Sequence, residues 1–137
     1  MVAASRHPVV TSSLSVAQTE LSVLFGDRLC LSQALREQHA NTTTWVAATP
    51  PDAVAFPRST DEVQQAVRIC ARHRIPIIPF GTGTSFEGHV NAPFGGLCLD
   101  LSKMNRVIEV HAADFDCVVE PGITRNAADS VQTNFIN

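Results

Sequence analysis

The sequence feature that most constrains the fold is an apolar run, residues 75–80, that leads directly into a loop rich in glycine and hydroxyl side chains. An apolar run of this length with prolines near its ends is typical of a short buried strand. Glycines permit positive φ angles, so that successive backbone N–H groups in the loop can converge on an anion, and hydroxyls add further donors. The residues concerned are Gly81, Thr82, Gly83, Thr84, Ser85 and Gly88. By itself this pattern fits two interpretations, a loop that binds phosphate or pyrophosphate and an ordinary surface turn.

Two well-known nucleotide-binding motifs do not match this loop. A P-loop requires Gly-Lys followed by Ser or Thr, and residues 81–96 contain no lysine. The dinucleotide fingerprint of a Rossmann unit requires a different glycine spacing and a helix that starts within the motif, and no helical pattern continues from this loop. A nucleotide bound here is therefore held by another type of loop.

The segments around the loop alternate between strand and helix patterns. Residues 53–56 form a short apolar run, and Ser59 and Glu62 then stand at capping-box spacing ahead of an amphipathic helix that is expected to end near Arg74. Three later runs have strand composition and are separated by turn-forming residues: 97–101, 106–110 and 117–120. The order strand, helix, strand, long loop and three strands, without an internal repeat, favours an α+β or α/β fold.

The residues before position 50 predict two short helices. Ser13 or Ser15 can cap the first helix, and Gly26 is suited to end it in a left-handed conformation. The apolar face of this helix is expected to consist of Leu14, Ala17, Leu21 and Leu24. The second helix is predicted over residues 31–39.

A polar, proline-marked connection follows these helices and is the best candidate for a domain boundary. It consists of residues 41–44 and the pair Pro50-Pro51. Residues 1–49 are therefore interpreted as an N-terminal helical segment and residues 50–137 as part of the main domain. Residues 1–19 contain no acidic side chain, which is compatible with a mitochondrial transit peptide, but their single arginine makes this targeting signal weak.

Composition excludes several classes of function. Ten Lys and Arg against thirteen Asp and Glu give a formal net charge of −3, which removes the cationic field on which nucleic-acid binding normally depends. No apolar run approaches the roughly 18 to 20 residues of a membrane-spanning helix, so no transmembrane segment is expected. The four cysteines occur singly, without the spacing of a zinc site, which predicts free thiols and no metal centre.

Residues 57–125, with their flanks, resemble the first half of the FAD-binding domain of the vanillyl-alcohol-oxidase-type flavoproteins, also called the PCMH-type domain. Within that group the resemblance is to the branch of D-lactate dehydrogenases (cytochrome) and glycolate oxidase subunits. Upstream, Arg36-Glu37-Gln38-His39 resembles the stretch that precedes the domain in mitochondrial D-lactate dehydrogenases. The other matching residues are Pro51-Asp52-Ala53-Val54, Pro57, Ser59, Ile75-Pro76-Ile77-Ile78-Pro79-Phe80-Gly81, Gly83-Thr84-Ser85, Glu87-Gly88-His89, Gly95-Gly96, Asp100-Leu101-Ser102, Met104 and Val119-Glu120-Pro121-Gly122.

This resemblance implies an α+β fold of short strands with flanking helices, and it assigns roles in binding FAD. In such proteins the loop after the second strand wraps the FAD pyrophosphate. This role carries over to Gly81, Thr82, Gly83, Thr84 and Ser85. By the same resemblance, Pro79 fixes the start of the loop and Gly88 allows its backbone to approach the cofactor closely. His89 either reaches the cofactor or caps the loop, and Pro121-Gly122 either lines the flavin cleft or is a plain turn. The resemblance implies non-covalent flavin and places no catalytic residue in this chain.

The function implied is that of an FAD-dependent oxidoreductase of 2-hydroxy acids in mitochondria. Such an enzyme oxidises D-lactate to pyruvate by hydride transfer to the flavin and passes electrons to a cytochrome c-type acceptor. In the family a second flavin-binding segment and a substrate domain follow the part matched here, whereas residues 126–137 match only loosely, so the chain is interpreted as an N-terminal fragment. The alternative is a non-catalytic truncated chain that binds flavin weakly or acts only through protein–protein contacts.

Overall fold

The computed structural model describes residues 11–40, 44–124 and 126, with the backbone alone for residues 11–14. Helices and short strands are mixed, which confirms the α+β expectation. No helix in these ranges is long and apolar enough to cross a membrane. In chain order the elements are α1 (Thr11–Phe25), β1 (Leu29–Cys30), α2 (Gln33–Gln38), β2 (Ala53–Ala55), α3 (Thr60–His73), β3 (Ile77–Phe80), β4 (Leu97–Asp100), β5 (Val107–His111) and β6 (Asp116–Val119), with 3₁₀ turns at Gly26–Arg28 and Leu101–Lys103.

Four of the strands form one sheet in the order β1-β2-β4-β3. Strands β2 and β3 both run parallel to β4, and β1 is antiparallel to β2. In the shared register Cys98 stands between Val54 and Ile78. The carboxyl ends of the three parallel strands therefore lie at the same edge of the sheet, which is where ligands bind in open sheets of this kind.

Helix α3 packs against the sheet and forms where the capping box predicts it. The Ser59 hydroxyl accepts the backbone N–H of Glu62 at 3.3 Å, and Arg74 ends the helix in the left-handed conformation with φ of 55°. The helix buries Ala66, Ile69 and Cys70. The predicted helix from Ser59 to near Arg74 is therefore confirmed.

Helix α1 differs from its prediction at its first turn. It begins at Thr11, so Ser13 and Ser15 lie inside the helix and the prediction that one of them is the N-cap is wrong. Hydroxyl side chains are tolerated within a helix when they bond back to the carbonyl four residues earlier, as Thr19 and Ser22 do here. At the other end Gly26 has the predicted positive φ, 57°.

The apolar face predicted for α1 is the face that packs. Ala17 and Leu21 are buried, Leu24 is half-buried, and the side chain of Leu14 lies outside the described residues. Together with Phe25 these side chains join the core cluster that contains the buried residues of α3. The segment before residue 50 thus shares a core with the segment after it, while the proposed division at residues 49 and 50 stays a prediction.

Strands β5 and β6 form a separate antiparallel hairpin with an irregularity between Val107 and Glu109. The bounds agree to within a residue or so with the two runs predicted there. A two-stranded hairpin is only marginally stable by itself. Its base is held by the buried carboxylate of Glu120, which accepts the backbone N–H of Arg106 at 2.9 Å and the guanidinium Nη2 of the same residue at 2.7 Å.

Candidate functional site

The glycine-rich loop leaves the carboxyl end of β3 and returns to the sheet at the start of β4. It therefore begins at the edge of the sheet where the parallel strands end. Gly81, Thr82 and Thr84 are exposed, and Gly83 and Ser85 are half-buried. Pro79, the residue predicted to fix the start of the loop, is exposed within β3 opposite Leu99.

Gly83 is a position in the first part of the loop at which glycine is required. Its φ is 71°, and a Cβ built on it would lie 2.8 Å from Cζ of Phe80. A side chain would therefore be strained by its backbone conformation and would press on the aromatic ring at the end of β3. Gly81 differs, because it has no positive φ and nothing lies within 4 Å of a Cβ there.

The hydroxyl side chains of the loop form two local pairs. Thr82 Oγ1 and Thr84 Oγ1 lie 3.0 Å apart, and Ser85 Oγ lies 3.0 Å from Nδ1 of His89. Ser85 Oγ also accepts the backbone N–H of Glu87 at 3.4 Å. His89 thus contacts Ser85 within the loop, and its role, reaching the cofactor or capping the loop, stays a prediction.

The far end of the loop is anchored to the residue before β2. Asp52 donates its backbone N–H to the Gly96 carbonyl at 2.8 Å and accepts the Gly96 N–H on its carboxylate at 2.7 Å. Gly95 and Gly96 both have positive φ, and a Cβ on either would overlap Asp52 or the Pro76 carbonyl. Sequence reasoning noted this glycine pair as a match without assigning it a role, and the structure shows that it fixes the return of the loop.

Pro121-Gly122 lies beyond the carboxyl end of β4. The Gly122 N–H donates to the Met104 carbonyl at 2.7 Å, and a Cβ on Gly122 would overlap the Leu101 carbonyl. The segment is thus held against the turn that follows β4, at the same edge of the sheet as the start of the glycine-rich loop. Whether it lines a flavin cleft stays a prediction.

A buried histidine–aspartate pair behind the loop was missed by sequence reasoning. Nε2 of His39, which follows α2, lies 2.8 Å from Oδ2 of Asp100 at the end of β4, and both residues are buried. Nδ1 of His39 lies 2.8 Å from the Leu35 carbonyl, which can only accept, so Nδ1 is the donor. The imidazole also lies 4.5 Å, between ring centroids, from Phe80. The one local signal in the sequence was Asp100, an acidic residue at the end of an otherwise apolar strand.

The two buried cysteines are unreactive thiols. All four are free, and Cys70 and Cys98 are buried. Burial raises the pKa of the Cys70 thiol to about 11 and that of Cys98 to about 12. Since the thiolate is the reactive form, these two side chains are poor nucleophiles at neutral pH.

The residues of the loop fit a pyrophosphate group. Two glycines with positive φ, Gly83 and Gly88, turn the backbone of an exposed loop that carries three hydroxyls. Such a loop at the carboxyl edge of parallel strands is the arrangement expected of a domain that binds a nucleotide cofactor.

The cofactor class follows from the family. A family model described as an FAD binding domain matches residues 51–132, and the chain belongs to this family of FAD-binding domains. The matched residues include the loop and Pro121-Gly122. FAD is therefore the cofactor, as the sequence resemblance implied.

Curated relatives with similar sequences include mitochondrial dehydrogenases. The chain is 47% identical over 109 residues to the probable mitochondrial D-lactate dehydrogenase of Danio rerio, covering 80% of this chain and 22% of that protein. It is 51% identical over 73 residues to the mitochondrial D-lactate dehydrogenase [cytochrome] of Arabidopsis thaliana, covering 53% of this chain and 13% of that protein. The chain thus spans about a fifth or less of the length of these relatives.

A solved structure confirms the PCMH-type architecture. The structure of p-cresol methylhydroxylase with substrate bound matches with a TM-score of 0.79 and 26% identity, covering 93% of this chain and 26% of that one. An alkyldihydroxyacetonephosphate synthase matches with the same TM-score at 20% identity, covering 88% of this chain and 25% of that one, which supports the fold alone.

Proposed function

We propose that this chain forms the N-terminal part of the FAD-binding domain of an FAD-dependent oxidoreductase that oxidises D-lactate, or a related 2-hydroxy acid, to the corresponding 2-oxo acid. The family membership supports the flavoprotein class. The names of the D. rerio and A. thaliana relatives support D-lactate as substrate, and the name of a 41% identical Bacillus subtilis relative, glycolate oxidase subunit GlcD, supports the wider class of 2-hydroxy acids.

The loop after β3 is the proposed site of the FAD pyrophosphate. Its backbone from Gly81 to Ser85 supplies N–H donors, and the hydroxyls of Thr82, Thr84 and Ser85 supply further ones. The observation that carries this proposal is the turn at Gly83, where the backbone has a positive φ and lies directly on Phe80. Bound FAD supplies hydride acceptance, and the residues of this chain hold and orient it.

The proposed electron acceptor is a cytochrome of the c type, and the proposed location is the mitochondrion. The names of relatives from A. thaliana and Kluyveromyces lactis, both D-lactate dehydrogenase [cytochrome], mitochondrial, support a cytochrome as acceptor, and its c type is what the sequence resemblance implies. These two names and that of the D. rerio relative support the mitochondrial location. The acid-free composition of residues 1–19 is compatible with this location.

The pyrophosphate site is tested by Gly83→Val in the natural full-length protein. Valine is strained at positive φ and would occupy space at the Phe80 ring, so the variant should lose its bound flavin, measured as visible absorbance after gel filtration. Gly26→Val is the matched control, because Gly26 also has positive φ but lies at the end of α1 with nothing within 4 Å of its Cβ position. Full flavin occupancy in Gly83→Val would exclude this loop as the pyrophosphate site.

The substrate class is tested by turnover of the full-length protein with an artificial electron acceptor and with cytochrome c. D-lactate should be oxidised faster than L-lactate or glycolate, with pyruvate as product. Turnover of glycolate but not of D-lactate would show that glycolate is the substrate instead. No turnover with any 2-hydroxy acid would refute the proposed activity.

A further inference from the structure

The buried pair of His39 and Asp100 lies at the edge of the sheet where the glycine-rich loop begins. In the register of the sheet Asp100, the last residue of β4, stands opposite Phe80, the last residue of β3. His39 is only 4% exposed, and it precedes residues 51–132, the part of the chain that the FAD-binding family model matches. A residue outside the matched domain thus occupies a buried position next to the proposed pyrophosphate loop.

One side of the pair supports the first part of the loop. The imidazole of His39 lies 4.5 Å, between ring centroids, from Phe80, and the two ring planes are tilted by 48°. The backbone at Gly83 in turn lies against Phe80, because a Cβ there would be 2.8 Å from Cζ of the ring. Since closely packed groups shift only together, the position of the imidazole determines where the Phe80 ring and the backbone at Gly83 can lie.

The other side of the pair holds the turn that contacts Pro121-Gly122. Asp100 accepts the backbone N–H of Ser102 on Oδ1 at 2.8 Å, and Ser102 lies in the 3₁₀ turn Leu101–Lys103. Gly122 donates its N–H at 2.7 Å to the carbonyl of Met104, the residue that follows this turn. One carboxylate therefore links the two segments for which the sequence predicts contact with FAD.

We infer that His39 and Asp100 are positioning residues of the cofactor site, which hold Phe80 against Gly83 and so preorganise the loop for the FAD pyrophosphate. Neither side chain has to touch the cofactor, because both act through Phe80. The inference rests on the proposed function, which places the pyrophosphate on this loop. Preorganisation raises affinity, since the cost of ordering the loop is not incurred when the ligand binds.

The first test is His39→Ala in the natural full-length protein, stripped of flavin and titrated with FAD. Alanine removes both the ring on which Phe80 packs and the partner of the Asp100 carboxylate. FAD affinity should fall at least about tenfold, the size of effect seen when residues that orient metal ligands are replaced. Asp100→Ala should weaken FAD binding in the same way.

Asp100→Asn is the conservative variant that should rescue binding. Its amide can donate to Nε2 of His39 and still accept the Ser102 N–H, so the imidazole keeps its place against Phe80. The FAD affinity of Asp100→Asn should therefore stay close to that of the unmodified protein. Equally weak FAD binding by Asp100→Asn and Asp100→Ala would overturn the inference.

Phe80→Leu tests the same series of contacts without altering the buried pair. Phe80 is half-buried, so leucine, which is also apolar, should disturb folding little. It lacks the flat ring that lies between His39 and Gly83, and FAD affinity should fall. This variant decides the question if His39→Ala fails to fold, and normal FAD binding by Phe80→Leu would then overturn the inference.

Ile69→Ala is the control for a loss of stability alone. Ile69 is buried on α3, in the core cluster that includes α1, and its truncation leaves a cavity there. The melting temperature of the flavin-free protein should fall, as it should in His39→Ala, but the FAD affinity of Ile69→Ala should be unchanged.

The inference is overturned if only the melting temperature of His39→Ala falls and its FAD affinity is normal. It is also overturned if Ile69→Ala loses as much FAD affinity as His39→Ala. Loss of flavin from Gly83→Val with normal binding by His39→Ala and Phe80→Leu would refute this inference alone. Retention of flavin by Gly83→Val would refute the proposed pyrophosphate site itself.

Discussion

His39 and Asp100 form a buried pair that joins the segment after α2 to the end of β4 across 61 positions of sequence, with Nε2 and Oδ2 2.8 Å apart. The second oxygen of Asp100 accepts the backbone N–H of Ser102 at 2.8 Å, so one carboxylate holds both a distant ring and the turn that follows its strand. Because the ring of His39 packs on Phe80, and Phe80 supports Gly83, the pair contributes to the shape of the loop.

Asp100→Ala is expected to destabilise the protein by about 3 kcal/mol, because it leaves a buried imidazole nitrogen and the Ser102 N–H without partners. Asp100→Asn should cost less, since an amide can donate to Nε2 and still accept from Ser102. Urea unfolding measures both. Asp114→Ala, at an exposed position between β5 and β6, should change stability by less than about 0.5 kcal/mol. Equal losses at positions 100 and 114 would contradict a structural role for the pair.

The ion pair of Arg28 and Glu62 makes stability depend on pH. Two hydrogen bonds from the Arg28 guanidinium, at 2.6 and 2.7 Å, lower the pKa of Glu62, and the Arg58 N–H contributes in the same direction. A carboxylate with a lowered pKa in the folded state stabilises the protein above its unfolded pKa, about 4.3, and this contribution is lost as the pH falls through the folded pKa.

Glu62→Gln should therefore lower the free energy of unfolding by about 1 to 2 kcal/mol at pH 7, and the difference from the unmodified protein should shrink below about pH 4. Chemical denaturation across this pH range measures it. Glu37→Gln, at an exposed position on α2, serves as the control and should show little difference at any pH. A Glu62→Gln deficit that persists unchanged in acid would show that the ion pair is not its source.

Any flavin bound by the protein is expected to be non-covalent. Burial raises the pKa of the thiols of Cys70 and Cys98, and His89, the histidine within the loop, contacts Ser85 through Nδ1. Acid precipitation of the yellow protein should leave the flavin in the supernatant. Flavin fluorescence that migrates with the polypeptide on a denaturing gel would contradict this expectation.

A polypeptide of these 137 residues alone is expected not to oxidise D-lactate. The chain spans 22% of the length of the D. rerio relative, and catalysis requires flavin and substrate to be held together in near-attack geometry, where even a small misplacement is costly. The measurement is reduction of an artificial acceptor by this polypeptide with excess FAD and D-lactate, with the D. rerio relative assayed in parallel as the reference. Comparable turnover of D-lactate by the two polypeptides would mean that residues 1–137 contain a complete active site.

The elements that sequence predicted well are those with local signals. The signals that predict helix α3, the capping box of Ser59 and Glu62 and the apolar face, lie within a few helical turns of one another. The bend of the backbone at Gly83 is marked by the glycine itself. The start of α1 was predicted wrongly because serine is compatible with both a cap and a helix interior, and local sequence does not distinguish the two.

The sequence by itself determined five of the six short strands in the described part of the chain, the principal helix, the glycine-rich loop after β3 and the resemblance that led to FAD, because each depends on residues close together in the chain. Strand β1, which has only two residues, was not predicted. The tertiary structure alone decided which polar groups that are distant in the sequence come into contact. Asp52 anchors Gly96 across 44 positions, Thr49 orients Asn91 across 42, and His39 pairs with Asp100 across 61. Such partners are selected when the strands and helices pack and each buried polar group must find a hydrogen bond, and no local periodicity encodes that selection.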